Sequence, residues 1–453
     1  MRRHSIILSL YPADTRELIL KDPHSQITTI RIIEGERQLG FGLGQMLAQL
    51  SDRDMYPSEA ALDLAILSLA ITAADTRISR TTESQDSWTR EIDLYVPVKD
   101  PALWLDNSNL LERMLKFLTG DLWRVFFRSR PSSLENLVDI PAGLLEAPFT
   151  SVCLFSGGLD SFVGAIDLLA TGESPLFVSH YWDQGTSSQK PCARLLGTIY
   201  GDMGPRHVRA HIGFPDSLVS GSAPEMSTRG RSFLFFSLAT MVASALDGNT
   251  PIYVPENGLI SLNVPLDPLR LGAWSTRTTH PFYMARWQRL LDNIGISARL
   301  ENPYRFKTKG EMLTGCVNTQ FLKQSLATTI SCSSIAKARW KGLSPRHCGF
   351  CVPCLIRRAA IQVAFGEDST DYLIGDLTAL PLNAKRVEAQ HVRSFQMMRR
   401  RLNQHPELAN ILIHKSGPFS DYSQGEINEY IEVFRRGIVE VGTIVDDVIV
   451  RPS

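Results

Sequence analysis

The sequence predicts an α/β protein: a parallel sheet with covered faces and a four-cysteine, zinc-binding segment, preceded by an N-terminal α+β unit. Three observations carry that expectation. Over about residues 146–385, short apolar runs alternate with helical patterns, as parallel strands joined by crossover helices do. The segment Phe155-Ser156-Gly157-Gly158-Leu159-Asp160-Ser161 follows one such run and opens a helical pattern. Cys332, Cys348, Cys351 and Cys354 fall within 23 residues of one another.

In chain order, residues 1–145 read as an α+β unit of their own. Ser5–Leu10 and Trp88–Val98 alternate apolar and polar residues, the pattern of half-buried strands. Between them, Pro57–Ala74 is rich in Ala, Leu and Ile at helical spacing. Leu110–Leu118 reads as a short amphipathic helix and Leu122–Arg130 as a strand, and Pro141 marks a boundary. In residues 146–385, strands are expected at Val152–Phe155, Leu176–Tyr181 and Ile252–Val254. Helices are expected at Ser161–Ala170, Arg231–Leu246 and Pro281–Asn293, with a Ser/Gly/Pro-rich loop at Gly213–Gly230. Residues 386–453 read as a helical segment with a basic face near Arg393–Leu402.

The chain has 453 residues, room for two or three domains, and needs no disulfide staples to close a core. Lysine plus arginine equals aspartate plus glutamate at 47 each, which argues against a general nucleic-acid coat protein and leaves room only for a local basic groove. Direct nucleic-acid binding is therefore not expected. No apolar run approaches the roughly 20 residues of a membrane span, and the start MRRHSIILSLYPADTRE lacks the pattern of a secretory signal. A soluble cytoplasmic protein with no membrane partner is expected.

Two glycines at 157 and 158 let a backbone approach a phosphate closely, and the free amides of a helix start favour an anion. Ser156 and Ser161 add hydroxyls. Asp160 would repel a phosphate unless it is partnered, which suggests either a magnesium link or a loop-stabilising bond. The segment lacks the Lys-Ser/Thr ending of a Walker A loop. On spacing alone it could also be a plain Gly-Gly turn. Seven cysteines are present. Cys153, Cys192 and Cys316 are scattered, whereas the spacing Cys332-x15-Cys348-x2-Cys351-x2-Cys354 is that of a closed structural zinc site.

The heptapeptide resembles the SGGxDS signature of the PP-loop ATP pyrophosphatases, whose fold is adenine nucleotide alpha hydrolase-like. That resemblance implies cleavage of ATP between its α and β phosphates. Followed about 170 residues later by the cysteine pattern, it resembles QueC, the 7-cyano-7-deazaguanine synthase family. The resemblance is closer still to the QueC-like proteins of bacterial anti-phage systems, the QatC subunits of the Qat system especially. By motif it covers the middle 240 or so residues, and the long front is a feature of the defence-associated type. Arg231-Ser232 with FLFFSLA, Lys309-Gly310-Glu311-Met312, Ser331-Cys332 and CGFCVPCLIR at 348–357 each resemble a QueC motif. Two stretches depart from it. Tyr181-Trp182-Asp183-Gln184-Gly185 keeps a Gln and lacks a His, and Ser275-Thr276-Arg277-Thr278-Thr279-His280-Pro281 replaces a substrate segment.

The resemblance implies ATP, Mg²⁺ and Zn²⁺ as cofactors and a carboxylated 7-deazaguanine as substrate. Asp160, Arg231 and Lys309 are then the candidate catalytic residues, with Arg229 a further candidate for phosphate neutralisation. Ser156, Gly157, Gly158, Leu159, Asp160 and Ser161 would bind the nucleotide. Glu256 and Asn257 follow an apolar strand at its carboxyl end, where open α/β sheets bind ligands; they would read the base, with Arg277 and His280 on the carboxylate or nucleophile. Asn257 could equally belong to a simple turn and His280 to a helix entry. Trp182 and Trp274 could stack on a base, and Asp183 and Gln184 could touch metal or ribose. The nucleophile could be an amine of a partner protein from the same defence system, docked by residues 1–145, which the altered acceptor segment favours. The alternatives are ammonia, yielding the free nitrile, a catalytically silent nucleotide-binding scaffold, or tRNA thiolation.

Overall fold

The computed structural model describes the chain except residues 1, 15–17, 36–37, 142–146, 182–185, 247, 268–276, 334, 336–341, 345 and 453. Its described residues build two large parallel sheets and two short two-stranded sheets. The first takes β1 (Arg3–Ser9), β2 (Gln26–Arg31), β3 (Glu91–Val98) and β4 (Leu122–Ser129) in the order β2-β1-β3-β4. The second takes β5 (Ser151–Leu154), β6 (Pro175–His180), β7 (His207–Ala210), β8 (Thr250–Tyr253) and β9 (Ala298–Glu301) in the order β9-β8-β5-β6-β7. The principal helices are α1 (Leu43–Ser51), α2 (Glu59–Arg77), α3 (Ser108–Thr119), α4 (Leu159–Ala170), α5 (Gln189–Tyr200), α6 (Arg231–Ala243), α7 (Pro281–Asn293), α8 (Lys309–Thr314), α9 (Val352–Phe365), α10 (Val387–Gln404) and α11 (Gln424–Val445).

Every pairing in the first sheet is parallel, so the N-terminal region is α/β and not the α+β unit the sequence suggested. The alternating residues of β1 and β3 do not mark a solvent face either. The inward set (Ile6, Leu8, Ile92, Leu94, Val96) packs on helices, and the polar set is closed by ion pairs. Asp93, fully buried, takes Arg3 at 3.0 Å and Arg124 at 2.7 Å, and the crossover to β2 covers Tyr95, whose hydroxyl accepts from the Lys21 amide at 2.8 Å. Alternation cannot distinguish water from a charge partner on the polar face.

Nor does this region close on a core of its own. One cluster of buried residues runs from Ile6 through α2 to Phe233, Trp287 and Ala298, so helix α2 lies inside a core shared by both sheets. Helix α2 is buried on every side, its few polar residues such as Asp63 and Asp75 included, and Ser58 caps it by accepting from Ala61. A buried ionic network secures the junction. Arg90 meets Asp75 at 3.1 Å and Asp121 at 2.6 Å; Arg80 meets Asp121 at 2.7 Å; and Asp75 accepts from the Gly230 amide at 2.7 Å. The start of α6 is thereby tied to the N-terminal sheet.

In the second sheet the chain leaves β5 toward β6 and β7, then returns to the other side of β5 for β8 and β9. The direction reverses between β5 and β8, and such a reversal opens a crevice at the carboxyl ends of those strands. The outer edge at β9 is closed by one side chain. Gln288 on α7 donates to Ala298 O at 3.0 Å and accepts from the Leu300 amide at 2.9 Å, as a neighbouring strand would. A third unit gathers α9, α10, α11 and three of the clustered cysteines around Phe395, Val433 and Phe434. Among the described residues no helix is long and apolar enough to cross a membrane.

Candidate functional site

The loop after β5 enters the crevice. Gly157 has φ +75°, and a Cβ there would stand 2.6 Å from Ser188 Oγ, so only glycine fits. Its carbonyl accepts from Ser188 Oγ at 2.9 Å and from the Ile330 amide at 3.1 Å. Ser156 and Ser161 hydroxyls lie 3.1 Å apart, and Ser156 Oγ accepts from the Gly158 amide at 3.2 Å. Leu159 opens α4, and its amide donates to Ser331 Oγ at 3.2 Å. The first-turn amides of a helix have no acceptor within it, and Ser331 Oγ supplies one for Leu159.

Asp160 ties three segments together. One oxygen meets Lys309 Nζ at 2.6 Å, and the other accepts from Asn257 Nδ2 at 2.7 Å and from the Asn257 amide at 3.2 Å. Of the two roles open to Asp160 in the sequence, the loop-stabilising bond is the one these contacts make. Lys309 is only 4% exposed and begins α8, whose start is built by a capping box between Thr308 and Glu311. Asn257 is fully buried and caps the short helix Gly258–Leu262, so it serves as a helix start and an Asp160 partner together. Glu256, beside it, is half-buried and accepts from Thr279 Oγ1. Burial, reinforced by the Asp160 charge, pushes its carboxyl up to about 7, against the Thr279 bond and Lys309, which act the other way.

The remaining candidates fall elsewhere. His280 is fully buried: its Nδ1 accepts from the Phe282 amide at 3.2 Å to cap α7, and its Nε2 meets Ser416 Oγ at 3.2 Å. Burial, with the Arg277 charge, holds it down to about 3. Both nitrogens are used, so it is a neutral helix-entry residue and not a carboxylate ligand. Arg277 donates to Phe117 O at 2.8 Å and lies over the Phe117 ring, which fastens it to α3. Arg229 stacks on Trp88 at 3.8 Å and donates to Thr119 O at 3.1 Å, a structural role that removes it from the phosphate candidates. Arg231 is exposed at the first turn of α6 with its guanidinium over Phe235, and its charge acts on His180 at the carboxyl end of β6. Trp182, Asp183, Gln184 and Trp274 lie outside the described residues.

The four cysteines converge. Their sulfurs lie within 4.8 Å of one another, with Cys332–Cys351 and Cys348–Cys354 both at 3.9 Å. A tetrahedron of sulfurs about 2.3 Å from a central ion has edges of about 3.8 Å, so the cluster is placed to hold a metal ion. The Cys348 amide donates to Cys332 Sγ and the Cys351 amide to Cys348 Sγ, both at 3.3 Å, bonds that favour thiolates. Cys192, by contrast, is buried and its thiol is pushed up to about 12 by that burial, and burial raises the Cys153 thiol as well. Neither is a poised nucleophile.

The cysteine cluster and the glycine loop are neighbours through one strap. Ile330 and Ser331 bond the loop, Cys332 is a cluster member, and the Ser331 amide donates to His347 Nε2 at 3.1 Å, next to Cys348. Arg357, fully buried on α9, adds bonds to Thr329 Oγ1 at 2.8 Å and Leu326 O at 2.7 Å. Sequence reasoning missed His347, Thr279, Asn302 and Glu440. Asn302 donates to Glu256 O at 2.8 Å. Glu440, on α11, accepts from the Gly310 amide at 3.0 Å and from Thr308 Oγ1, and so holds the start of the helix that carries Lys309. A lone carboxylate inside the apolar run GIVEVGTIV was its signal. Glu440→Ala is expected to free the first turn of α8 and to cost about 2 kcal/mol, the penalty of unmaking buried charged hydrogen bonds; urea unfolding measures it, and a cost near zero would mean that Glu440 supports nothing.

Compared with known proteins, the chain matches no family model, no curated protein and no solved structure.

Proposed function

We propose that this chain is an ATP-dependent carbon–nitrogen ligase of the QueC-like PP-loop type, working in the cytoplasm as part of anti-phage defence. The observation that carries the reading is the junction of Asp160 with Lys309 and Asn257. It joins a glycine-rich anion loop, a buried cation and the strand-end acid Glu256 in the crevice where the sheet reverses direction. A simple Gly-Gly turn would need none of these partners.

In this reading a carboxylate oxygen of a carboxylated 7-deazaguanine attacks the α-phosphorus of ATP. The bond from that phosphorus to the bridging oxygen breaks, and pyrophosphate leaves. An amine then attacks the acyl carbon of the adenylate, AMP departs with the C–O electron pair, and the amine loses its proton to give an amide. The glycine-loop amides and Ser156 and Ser161 would hold pyrophosphate, with the Leu159 amide exchanging Ser331 Oγ for a phosphate oxygen. Lys309 would screen the like charges of carboxylate and phosphate, and Mg²⁺ brought by ATP would add to that screening. Glu256 would accept from the N–H edge of the base. Arg231, exposed at the mouth, would meet outer phosphates. Zn²⁺ in the four-cysteine cluster would be structural, since four thiolates leave no open position. The amine is best supplied by a partner protein of the same system.

The test is incubation of the full chain with ATP, Mg²⁺ and 7-carboxy-7-deazaguanine, with and without ammonium, and mass spectrometry of the products. AMP formed without nitrile supports activation for a protein amine, and AMP with nitrile makes the chain a nitrile synthase. No AMP with any carboxylated base or added partner protein overturns the enzymatic reading. Glu256 adds a pH signature. Only the ionised carboxylate offers both oxygens as charged acceptors to two N–H groups, so with a value of about 7, base binding should rise as pH goes from 6 to 8, by up to roughly tenfold per unit on the acid side. Glu256→Gln should flatten that profile, and an unchanged slope would remove Glu256 from base recognition.

A further inference from the structure

The zero net charge of the chain averages over a surface on which charge is unevenly spread. On α10, Arg386 at its start and Gln390, Arg393, Met397, Arg400, Arg401 and Gln404 are all exposed. At 3.6 residues per turn they form one face. The other side of the helix, with Val392, Phe395, Met398 and Leu402, is sunk in the core. Arg386, Arg393 and Arg400 repeat every seven residues, about 10.5 Å apart, so the row spans about 21 Å. No acid interrupts it: Glu388 lies about 160° around the helix from its centre line. Elsewhere several arginines are paired with carboxylates, as at Arg3, Arg130, Arg286 and Arg436, and exposed ones without an ion pair among the described residues, such as Arg113, Arg194 and Arg289, stand on separate helices. Arg399, one residue from the row, is paired too, with Asp446. Arg386, Arg393, Arg400 and Arg401 have no ion-pair partner among the described residues.

We propose that this face of α10 docks the phosphate backbone of a nucleic acid. Guanidinium forks match phosphate oxygens two at a time, and a straight row of them suits a polymer that repeats its charge. The intervening Gln390 and Gln404 add donors of the kind that serve phosphate and sugar. A protein interface of this length would carry a buried aromatic or apolar centre, whereas on this face the one large apolar side chain is Met397, 38% exposed. With no aromatic ring on the row to stack a base, binding is to backbone and independent of sequence. The inference does not rest on the ligase reading, and its test uses neither ATP nor a deazaguanine.

The experiment is fluorescence anisotropy of the full chain with labelled oligonucleotides, single-stranded and duplex, of DNA and of RNA. At about 50 mM salt, binding in the micromolar range is expected, with a log–log salt slope of about −3 for three to four phosphate contacts. The triple variant R386E/R393E/R400E should bind at least about tenfold more weakly with a shallower slope. The control R113E/R194E/R289E reverses three exposed arginines on other helices and has the same net charge; it should bind like the unaltered chain. Thermal unfolding confirms that both variants fold. Absence of salt-dependent binding overturns the proposal, as does a control that loses as much as the α10 variant. So does binding of an acidic polypeptide in preference to every oligonucleotide.

Discussion

Asp160→Ala is expected to abolish AMP formation and to destabilise the folded chain by about 3 kcal/mol. The two losses have different causes. The stability loss arises because Lys309 Nζ, 2.6 Å from Asp160 in a 4% exposed position, is left as a buried charge without its counter-ion. Removing one partner of a buried pair costs about 3–5 kcal/mol, and the residual exposure of Asp160 puts this case at the lower end. The loss of activity arises because Asp160 also fixes Asn257 and, through it, the strand end that carries Glu256. The double variant Asp160→Ala/Lys309→Met separates them: most of the stability should return in urea unfolding, and AMP formation should not. A single variant that folds normally and keeps full activity would remove the glycine loop from the chemistry.

Cys351→Ser is expected to lose the metal and, with it, nucleotide binding. The unaltered chain should carry one zinc by elemental analysis. Loss of one of four thiolates opens a closed site, and metal affinity in such sites is itself folding free energy. Cys348, Cys351 and Cys354 are buried in the same core as Phe395 and Val433, so unfolding temperature should fall markedly. The effect should extend to the glycine loop, because Cys332 directly follows Ser331, whose hydroxyl bonds the Leu159 amide. ATP affinity, read by calorimetry, should drop at least about tenfold, since the loop loses several bonded contacts each worth about 1 kcal/mol. A well-folded, zinc-free Cys351→Ser chain with unchanged ATP affinity would sink both the structural role of the metal and its link to the loop.

Many individual elements were legible along the chain, but none was expected at β2, β7, β9, α1, α5 or α9. Pro281–Asn293 begins and ends at the residues expected of it, because proline at the first helical position is a strong start signal. Helix α6 stops at Ala243, short of the expected Leu246, where the apolar run continues past the last helical turn. The glycine loop and the four cysteines were legible because each is a compact motif whose residues are close in sequence. His280 and Arg277 were misplaced for the opposite reason. A histidine before a proline and an arginine in a polar stretch carry no mark of whether they face a crevice or a core. Packing against Phe117, Phe419 and Ser416 decides it.

What the sequence by itself determined is local: where many of the strands and helices run, that a glycine loop opens a helix after an apolar strand, and that four thiolates can share one ion. These follow from periodicity, turn chemistry and short spacings, which act over a few residues. Only the tertiary structure decided what those pieces meet. It made the first sheet parallel and merged its core with the second. It brought Lys309 from α8 and Glu440 from α11 to one end of the site, and hung the glycine loop and the cysteine cluster on the same strap at Ile330–Cys332. Those contacts join residues about 100–200 positions apart in the sequence. Their partners are selected by burial, which makes an unpaired charge or an unbonded amide costly once water is gone. No pattern along the chain records which partner will be there.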